Sequence, residues 1–543
     1  MTSSRDCFDY IVVGSGAAGA VVAARLSEDP DCQVCLIEAG DRNLSWLLRL
    51  PGLGFAVGAH PRYNWSFATQ PIPTMAYRSL PYLQGRVLGG SSSINGMIYT
   101  RGHSSEYDQW RQMGCEGWAG KDVLPFFKQS ENNVRGCDQW HGDNGPLKVR
   151  PANPRLPICD AFLAAAADAD FPVLDDLNQD VVEGFGFYDI NVGNGRRMST
   201  AESFLTPAQT RPNLTILTNT PVIKIIFRTN RATAVDVQSS SGQKQLSADR
   251  EIVLSAGAIK SPQLLMLSGV GPVTELKRLG IPIQFDSPNV GQNLQNHACY
   301  RPQYLCNAPV TASGQVEPLN ALKAGIEYLL KRSGPLAESY ATTGGFFRTD
   351  PALETSDAQV VLLSALAPTQ ASGSRFSIRD LLPQQHGFGL TIYQGAPHSR
   401  GSVSLASADP QSQPRIDPGY FTDPRDMGVL KRAVRMMREM MQQPAIKRYI
   451  AKELLPGESI QSDAELETDI RQNGATAYHQ CGTCAMGGHE SSVLSPDLKV
   501  RGIEGLRVAD ASVIPRIPNA ALHAPAIMIG EKAAALIKGE GSV

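Results

Sequence analysis

The sequence predicts an α/β fold, and three features of its first forty residues predict it. Residues 8–13 are continuous, apolar and rich in β-branched side chains, which is typical of a buried parallel strand. A Gly-x-Gly-x-x-Gly motif at 14–19 follows at once and opens a segment that has helical character up to Leu26. A second apolar strand at 33–37 ends in Glu38. These parts form one compact βαβ unit.

The spacing of the glycines in this unit is typical of a dinucleotide site. Gly14 permits a tight turn, Gly16 lets a pyrophosphate approach the backbone, and Gly19 lets the helix pack closely on the strand. The free amides at the helix N-terminus face an anion, and Glu38 can accept hydrogen bonds from a ribose. The unit leaves NAD, NADP and FAD open, and the alternative is an ordinary βαβ turn with incidental glycines. The residues expected to face the dinucleotide here are Gly14, Ser15, Gly16, Ala17, Ala18, Gly19, Glu38 and Ala39.

The composition sets limits on the class of protein. A chain of 543 residues can bury a sizeable core and form two or more domains. The formal net charge of −2 gives no electrostatic case for a nucleic-acid partner or an anionic membrane. There is no run of eighteen apolar residues, so we expect no transmembrane segment. Asp6 and Asp9 stand where a secretory signal would carry basic residues, so we expect no signal peptide.

The ten cysteines are scattered along the chain, which favours reduced thiols and a cytoplasmic protein. Cys32 and Cys35 fall on the predicted second strand, where their odd spacing points them to opposite faces. Cys481 and Cys484 follow His479, so a metal site must be considered there. No fourth ligand stands nearby, and structural thiols are the favoured interpretation. We therefore expect no metal.

A second glycine-rich stretch lies at 84–102, where two glycines precede three serines. Such a loop offers amide and hydroxyl donors that can line a second anion or the polar edge of a ring. The alternative is a serine-rich surface turn, but the apolar residues on both sides favour partial burial.

The remaining elements follow from apolar runs and turn residues. The stretch 40–84 is rich in proline and glycine and is expected to be loop with short pieces of regular structure. The methionines of the helix at 427–441 are expected to pack in the core. The strand predicted at 507–509 ends in Asp510. Taken alone, this acid could simply pair with a surface lysine. The predicted helices are 161–168, one that starts at Ser261-Pro262, 427–441 and 526–537, and the predicted strands are 214–218, 222–227, 231–237, 251–254 and 399–405.

Two long segments resemble the signatures of the glucose–methanol–choline (GMC) oxidoreductase family of flavoproteins. The first runs from Gly89 to Gly102, the second from Ser255 to Gly271, and the resemblance extends from residue 8 to about 535. It implies that the dinucleotide is FAD and that the Gly89–Met97 loop runs beside the flavin. The further cofactor residues that the resemblance implies are Val87, Gly89, Gly90, Ser91, Asn95, Gly96, Met97, Val222, Asp510, Ala511 and Ala521.

The resemblance also implies the domain organisation. It predicts a Rossmann-like FAD-binding domain and a discontinuous substrate domain, whose six-stranded antiparallel sheet is backed by helices. The FAD-binding segments are expected at 1–155, 201–300 and 456–543, and the substrate-domain segments at 156–200 and 301–455.

Two histidines occupy the positions that are catalytic in this family. His479 matches the pattern His-x-x-Gly-Thr-x-x-Met-Gly, and His523 stands where relatives carry His or Asn, ahead of Ala-Pro and an apolar helix. A hydride leaves an alcohol carbon only as the hydroxyl proton is removed, and imidazole suits that base. We assign His479 as the base and His523 as a hydrogen-bond partner of the same oxygen; the reverse assignment stays open. Without the family resemblance, a purely structural role would be the ordinary interpretation of each histidine.

The chain departs from its relatives at several positions near the flavin. Relatives with covalent flavin can carry His at the position of Ile94, so we expect noncovalent FAD. Asn296 stands where the family usually has Asp, and His297 beside it is interpreted as structural. Ala520 and Ala521 replace polar residues common near the second catalytic position.

These observations predict FAD-dependent oxidation of a primary alcohol to an aldehyde, in a branch similar to bacterial choline, aliphatic-alcohol and sorbose dehydrogenases. The alcohol could be aliphatic, a sugar, aromatic or pyridoxine-like, and choline is not favoured because no clear anionic cage for a quaternary ammonium stands out. The acceptor, oxygen or a quinone or other carrier, stays open, as does the oligomeric state. The alternatives are a redox-neutral flavin lyase or decarboxylase and a flavin-binding protein without turnover.

Overall fold

The apolar strand at the start of the chain lies inside a seven-stranded sheet. In the computed structural model, Cys7–Val13 pairs in parallel with Val34–Ile37 on one side and with Gly242–Leu254 on the other. Ile11 and Val12 are completely buried, as expected for a strand with parallel neighbours on both sides. The other strands of this sheet are Leu214–Leu217, Val222–Arg228, Arg231–Ser239 and Leu506–Val508. The structure describes residues 6–42, 45–53, 58, 60–154, 156–240, 242–313, 318–339, 341–366 and 385–540.

A second sheet of eight strands is antiparallel throughout. Six of its strands lie side by side as one continuous sheet, and two short strands pair at its side. The expected six-stranded sheet is therefore present, with two further strands. Helix Pro424–Met440 packs on it and buries Met427 and Met437, which confirms that these methionines belong to the core. In spatial order the six strands are Ile450–Leu455, Gln303–Cys306, Gly387–Gln394, Ala358–Leu363, Ala341–Phe347 and Gly184–Phe187, and the two short ones are Ala298–Tyr300 and Ala475–Thr476.

The sheets draw their strands from different parts of the chain. Strands of the first sheet lie between residues 7 and 254 and again at 506–508, whereas the second sheet takes 184–187 and strands between 298 and 476. The domain boundaries at 155, 200, 300 and 455 stay a prediction. Within the described ranges no helix is long and apolar enough to cross a membrane.

Helices and short strands complete the fold around the two sheets. Within the described ranges the further helices include Gly19–Leu26, Trp46–Arg49, Ser104–Gln112, Gly120–Ser130, Pro157–Asp168, Thr206–Ala208, Gly257–Leu267, Val273–Arg278, Pro318–Lys331, Pro444–Lys447, Asp463–Asn473 and His523–Lys538. A four-stranded sheet contains Ile98–Tyr99, Glu131–Asn133, Leu147–Pro151 and Asp189–Ile190. Four two-stranded pairs join Phe67–Ala68 to Pro81–Tyr82, Val192–Gly193 to Arg196–Arg197, Val270–Gly271 to Phe285–Asp286 and Ser402–Ser404 to Arg415–Asp417.

The helix predicted to start at Ser261-Pro262 starts earlier, at Gly257, so that prediction was wrong by one turn. Pro262 lies inside the helix and has no amide to donate to the Ala258 carbonyl four residues before it. The Thr483 hydroxyl donates to that carbonyl oxygen instead, at 2.6 Å. A contact across more than 200 residues therefore makes an interior proline acceptable, and the sequence pattern cannot show it.

Other predicted boundaries also moved. The last helix begins at His523 rather than Ala526, because Pro525 sits in the first turn, where no amide is needed for an intrahelical bond. The second strand begins at Val34, so Cys32 precedes it rather than lying on it. The strand predicted at 399–405 is shorter, Ser402–Ser404, and the helix predicted at 161–168 starts earlier, at Pro157.

Candidate active site

The turn after the first strand is closed by backbone contacts. The Gly14 amide donates to the Ile37 carbonyl oxygen at 2.8 Å, and its φ of +98° lies in the left-handed region. A Cβ on Gly19 would lie 2.0 Å from the Gly14 carbonyl oxygen, so only glycine lets the helix approach this closely. A Cβ on Gly16 would meet only the Ser255 carbonyl oxygen, at 3.9 Å. Protein packing therefore does not require glycine at position 16, where the backbone faces open space.

The acid at the end of the second strand is held by the same turn. The Ser15 hydroxyl donates to Glu38 Oε2 at 2.6 Å, and the Gly40 amide donates to Oε1 at 2.8 Å. Burial raises the pKa of the Glu38 carboxyl. The carboxylate keeps lone pairs for a further donor, as a ribose hydroxyl would require.

The glycine-serine loop packs directly on the glycine turn. Gly90–Ser93 forms a short 3₁₀ helix in which Ser92 and Ser93 are buried, so the alternative of a surface turn was wrong. The hydroxyl of Ser92 lies 3.0 Å from that of Thr200. A Cβ on Gly90 would lie 2.7 Å from the Cα of Gly16, which shows how closely the two backbones approach.

Asp510 caps a helix instead of pairing with a surface lysine. Its Oδ2 accepts from the Gly257 amide at 2.8 Å and from the Ser261 hydroxyl at 2.6 Å. Its Oδ1 accepts from the Ser512 amide at 2.7 Å. The carboxylate thus lies at the N-terminus of helix Gly257–Leu267, where the helix dipole favours a negative charge, and it borders the same open space as the glycine turn.

These elements surround one cavity of about 2220 Å³. Both predicted catalytic residues, His479 and His523, line it together with the glycine turn, although they are more than 450 residues away in sequence. The open sides of Gly16 and Gly96, where an added Cβ meets little or nothing, give the backbone access that a bound dinucleotide requires. The predicted cofactor residues that line the cavity are Gly14, Gly16, Ala17, Ala18, Glu38, Ala39, Gly90, Ser91, Asn95, Gly96, Met97, Val222, Asp510, Ala511 and Ala521.

Four predicted cofactor residues lie behind the cavity wall: Ser15, Gly19, Val87 and Gly89. The Ser15 side chain is turned to Glu38 and also accepts from the Gly89 amide at 3.2 Å. Gly19 serves the close helix packing described above, and Val87 is completely buried and pairs through its backbone with Asp41. These four residues shape the cavity wall from behind.

The segment that carries His479 pairs with a distant segment. Gln295 and Cys481 exchange two backbone hydrogen bonds, at 3.0 and 2.9 Å, as antiparallel partners. Counting two residues along each segment places His297 opposite His479. The His479 amide also donates to Asn296 Oδ1 at 2.8 Å.

Asn296 uses both ends of its side-chain amide. Its Oδ1 receives the His479 amide, while its Nδ2 donates to the Tyr82 hydroxyl at 2.8 Å and to Thr476 Oγ1 at 3.0 Å. An ionised aspartate has no such donor. The asparagine therefore ties His479 to the core under the second sheet, to which Tyr82 belongs.

His297 touches His479 directly. Their Nδ1 atoms are 2.9 Å apart, and the other nitrogen of His297, Nε2, is 2.8 Å from the Gly395 carbonyl oxygen. A carbonyl only accepts, so Nε2 of His297 carries the hydrogen. Burial lowers the pKa of His297 to about 4, so its ring is neutral near pH 7 and its Nδ1 is a lone pair.

This sets the tautomer of His479. Its Nδ1 must donate to the His297 lone pair, which leaves Nε2 of His479 without a hydrogen. Burial, and next the neighbouring His297, hold the pKa of His479 well below its usual value. His479 is therefore a neutral imidazole with its basic nitrogen at Nε2. The prediction that His297 is merely structural missed this contact, which depends on pairing between segments about 180 residues apart.

His523 is the first residue of helix His523–Lys538. Burial, and next the charge of Arg197, lower the pKa of His523 to about 4. The positive end of a helix dipole also disfavours a second proton there. The cavity is thus bordered by two neutral imidazoles near pH 7.

The second sheet supplies the aromatic wall of the cavity. The Tyr393 ring stacks on His297 at 4.9 Å between centroids and meets the His479 ring at 5.7 Å, nearly edge-on. Tyr393 lies in strand Gly387–Gln394, and its side chain lines the cavity. The sequence does not point to Tyr393, because the periodicity of that region is weak and no motif marks it.

The thiols next to His479 are buried in the first hydrophobic cluster. Cys481 and Cys484 have no exposed surface, and burial raises the pKa of the Cys481 thiol. Among the described residues no group of three histidine, cysteine or acidic side chains is arranged to hold a metal ion.

Comparison with known proteins gives consistent matches over nearly the whole chain. Two family models described as GMC oxidoreductase match residues 8–299 and 397–530. An oxygen-dependent choline dehydrogenase of Brucella canis is 39% identical over 534 residues, which are 98% of this chain and 95% of that protein. The mitochondrial choline dehydrogenase of Homo sapiens is 38% identical over 548 residues, 99% of this chain and 91% of that one.

Solved structures share the fold. A pyridoxine 4-oxidase from "Mesorbium loti" is 30% identical, with a TM-score of 0.87 over 97% of this chain and 98% of that chain. A formate oxidase from Aspergillus oryzae is 26% identical, with a TM-score of 0.92 over 99% of each chain. The expected mixed α/β architecture is confirmed by these matches.

Proposed function

The chain belongs to the GMC oxidoreductase family and is an FAD-dependent oxidoreductase that acts on alcohols, and on that premise we propose its reaction. It oxidises a neutral primary alcohol to the aldehyde, with His479 as the general base. The observation that carries this proposal is that both imidazoles and the dinucleotide turn line one cavity. His523 hydrogen-bonds the same alcohol oxygen.

The residues that would hold FAD are those of the glycine turn, Glu38, the glycine-serine loop and Asp510. Bound FAD supplies the hydride acceptor, its N5 atom. Ile94, which lines the cavity, has an aliphatic side chain that cannot form a covalent link. FAD is therefore held noncovalently.

His479 prepares the alcohol for the loss of its hydride. The tautomer fixed by His297 leaves Nε2 as the basic nitrogen, and it takes the hydroxyl proton. The resulting imidazolium keeps its Nδ1–H bonded to His297. His297 is a positioning residue, because it acts on the alcohol only through His479.

His523 holds the oxygen in place. A neutral imidazole has one N–H to donate, and the alcohol oxygen becomes a better acceptor as its proton leaves. The main competing assignment makes His523 the base and His479 the hydrogen-bond donor. His479 is favoured as the base because its contact with His297 defines its tautomer. Among the described residues, no comparable contact defines the tautomer of His523.

Substrate charge is the point on which the relatives and the cavity differ. The matched choline dehydrogenases are named for a quaternary ammonium substrate. Among the described residues that line the cavity, the carboxylates are Glu38, Glu338 and Asp510. Glu38 and Asp510 accept the bonds given above, and Glu338 pairs with Arg150 at 2.5 Å. No carboxylate is left to pair with a quaternary ammonium, so we propose a neutral alcohol over choline.

A panel of alcohols mixed anaerobically with the yellow holoenzyme tests this proposal. We expect a primary aliphatic, benzylic or pyridoxine-like alcohol to bleach the flavin faster than choline does at equal concentration. Bleaching by choline alone would contradict the proposed substrate class. A substrate that is consumed without flavin reduction would instead indicate a redox-neutral lyase. Reoxidation of the bleached enzyme, by air or by an added quinone, then identifies the acceptor.

A further inference from the structure

One lysine on the wall of the active-site cavity takes no part in the proposed reaction. Lys260 lies in the first turn of helix Gly257–Leu267 and lines the same cavity as His479. It is the only lysine among the described residues of that wall. It is also not among the residues assigned to FAD.

The half-buried Lys260 side chain lies against aromatic rings. Its Nζ is 4.4 Å from the centroid of the Trp65 ring and 5.8 Å from that of the Phe67 ring. The two rings are nearly parallel, with an interplanar angle of 5° and centroids 6.0 Å apart. Both aromatic residues line the cavity. We call Lys260, Trp65 and Phe67 together the lysine patch.

No carboxylate pairs with Lys260 among the described residues. A second cation is nearby instead, because Arg86 lies over the same Trp65 ring with its Cζ 5.0 Å from the centroid. Ring faces attract an ammonium less strongly than a carboxylate in contact would. Burial, and next the charge of Arg86, lower the pKa of Lys260 to about 8. An appreciable fraction of this side chain is therefore a free amine near pH 7.5.

A free amine is the form of lysine that attacks carbonyl groups. Enzymes that use a lysine in this way keep it in an apolar pocket or beside another cation, and Lys260 has both surroundings. A solvated lysine, with its ordinary pKa of about 10.4, is almost entirely protonated at neutral pH. The lysine patch thus favours the reactive form of its amine.

Short contacts along the cavity wall join the lysine patch to the segment that carries His479. The side-chain amide of Gln480, the next residue, donates to the Leu83 carbonyl oxygen at 3.1 Å. The carbonyl oxygen of Gln84 accepts from the Trp65 amide at 2.9 Å. All five of these residues line the cavity. An aldehyde formed at the imidazoles can therefore reach the lysine patch without leaving the cavity.

We propose that Lys260 binds aldehydes covalently as an imine. This inference rests on the proposed function, because the proposed reaction supplies an aldehyde in the same cavity. The Nζ lone pair adds to the carbonyl carbon, the oxygen leaves as water after proton transfers, and a C=N bond replaces the C=O bond. The step consumes no oxidant or reductant, and hydrolysis reverses it. The parallel rings of Trp65 and Phe67 favour an aromatic aldehyde, whose ring can pack beside theirs.

Reductive trapping with an added aldehyde tests the proposal. The holoenzyme is mixed with benzaldehyde and sodium cyanoborohydride at pH 7.5, which reduces an imine to a stable secondary amine. Peptide mass spectrometry then locates the benzyl group. We expect Lys260 to be labelled at least about tenfold faster than the exposed Lys277.

Lys532 is the matched control within the same chain. Its Nζ also lies near two aromatic rings, those of Trp118 and Phe126, at 5.2 and 4.9 Å, but it does not line the cavity. It should stay unlabelled, because aromatic surroundings without access to the cavity do not bring an aldehyde to the amine.

The variant Lys260→Arg keeps a cation beside the rings but has no amine that forms an imine. The fast phase of labelling, followed by intact mass, should disappear, and flavin absorbance checks that the variant is folded. The wild-type peptide map decides the question even if this variant does not hold flavin. Equal labelling rates for Lys260 and Lys277, or a fast phase that persists in Lys260→Arg, would overturn the proposal.

The aldehyde is added directly, so the result does not depend on turnover. Fast labelling of Lys260 in an enzyme whose flavin no alcohol bleaches would support the imine site and contradict the proposed function. Flavin bleaching by an alcohol without fast labelling of Lys260 would support the proposed function and overturn the imine site.

Discussion

At the scale of single residues, the site depends on which nitrogen of His479 is free. The Gly395 carbonyl accepts from His297, and His297 accepts from Nδ1 of His479. These two hydrogen bonds leave Nε2 of His479 without a hydrogen, so its lone pair is free. The family resemblance predicted His479 and His523 as the catalytic pair, and both line the cavity. It did not point to the contacts of His297 and Tyr393 with His479, because these contacts join distant segments.

Replacing His297 tests this chain of hydrogen bonds. His297→Leu removes the acceptor, so the tautomer of His479 is no longer fixed, and kcat should fall at least about tenfold with little change in KM. His297→Asn keeps an oxygen near the position of Nδ1 and should retain most of the activity. Steady-state kinetics of both variants with one alcohol measures the difference. Equal losses in both variants would show that His297 only fills space.

The acid limb of the pH profile reports on the base itself. Burial, followed by the neighbouring His297, lowers the pKa of His479, so the neutral base persists below pH 6.5. We expect kcat/KM for a neutral alcohol to rise with pH through a midpoint below 6.5 and then to stay level towards pH 8. An acid limb centred at pH 7 or above would contradict the assigned environment.

At the scale of elements, the sequence predicts well those helices and strands that depend only on residues close together in the chain. The strand Cys7–Val13, the glycine turn and the following helix depend on neighbouring residues, and the structure has them as expected. The start of helix Gly257–Leu267 was missed because its interior proline is compensated by Thr483, far along the chain. Local rules fail where a distant hydroxyl supplies the missing bond.

The glycine turn offers a matched pair of substitutions. Gly16→Ala adds a methyl that meets only an oxygen at 3.9 Å, so the apoprotein should fold normally. The methyl occupies the approach of the pyrophosphate, and FAD affinity should fall at least about tenfold. Gly19→Ala places its methyl 2.0 Å from a backbone oxygen and should destabilise the fold itself. Melting temperatures and flavin-fluorescence titration separate the two, and equal FAD affinity in Gly16→Ala and wild type would argue against the assigned contact.

At the scale of the whole molecule, the two sheets bring the ends of the chain to one cavity. The first forty residues form the dinucleotide turn, the last seventy contribute the two imidazoles that line the cavity, and the second sheet adds Tyr393. The family resemblance foresaw the first two of these. The outward apolar face of helix Pro318–Lys331 could not be foreseen, because its residues look like a core stripe until the packing shows which face is buried.

The most direct test of the account is anaerobic stopped-flow reduction of the flavin by one alcohol in His479→Ala, with wild type and His297→Asn beside it. We predict that His479→Ala retains FAD and binds the alcohol, yet reduces the flavin about 100-fold more slowly or worse. The other two enzymes should stay within a few-fold of each other. An unchanged rate in His479→Ala would contradict the central claim that this imidazole takes the alcohol proton.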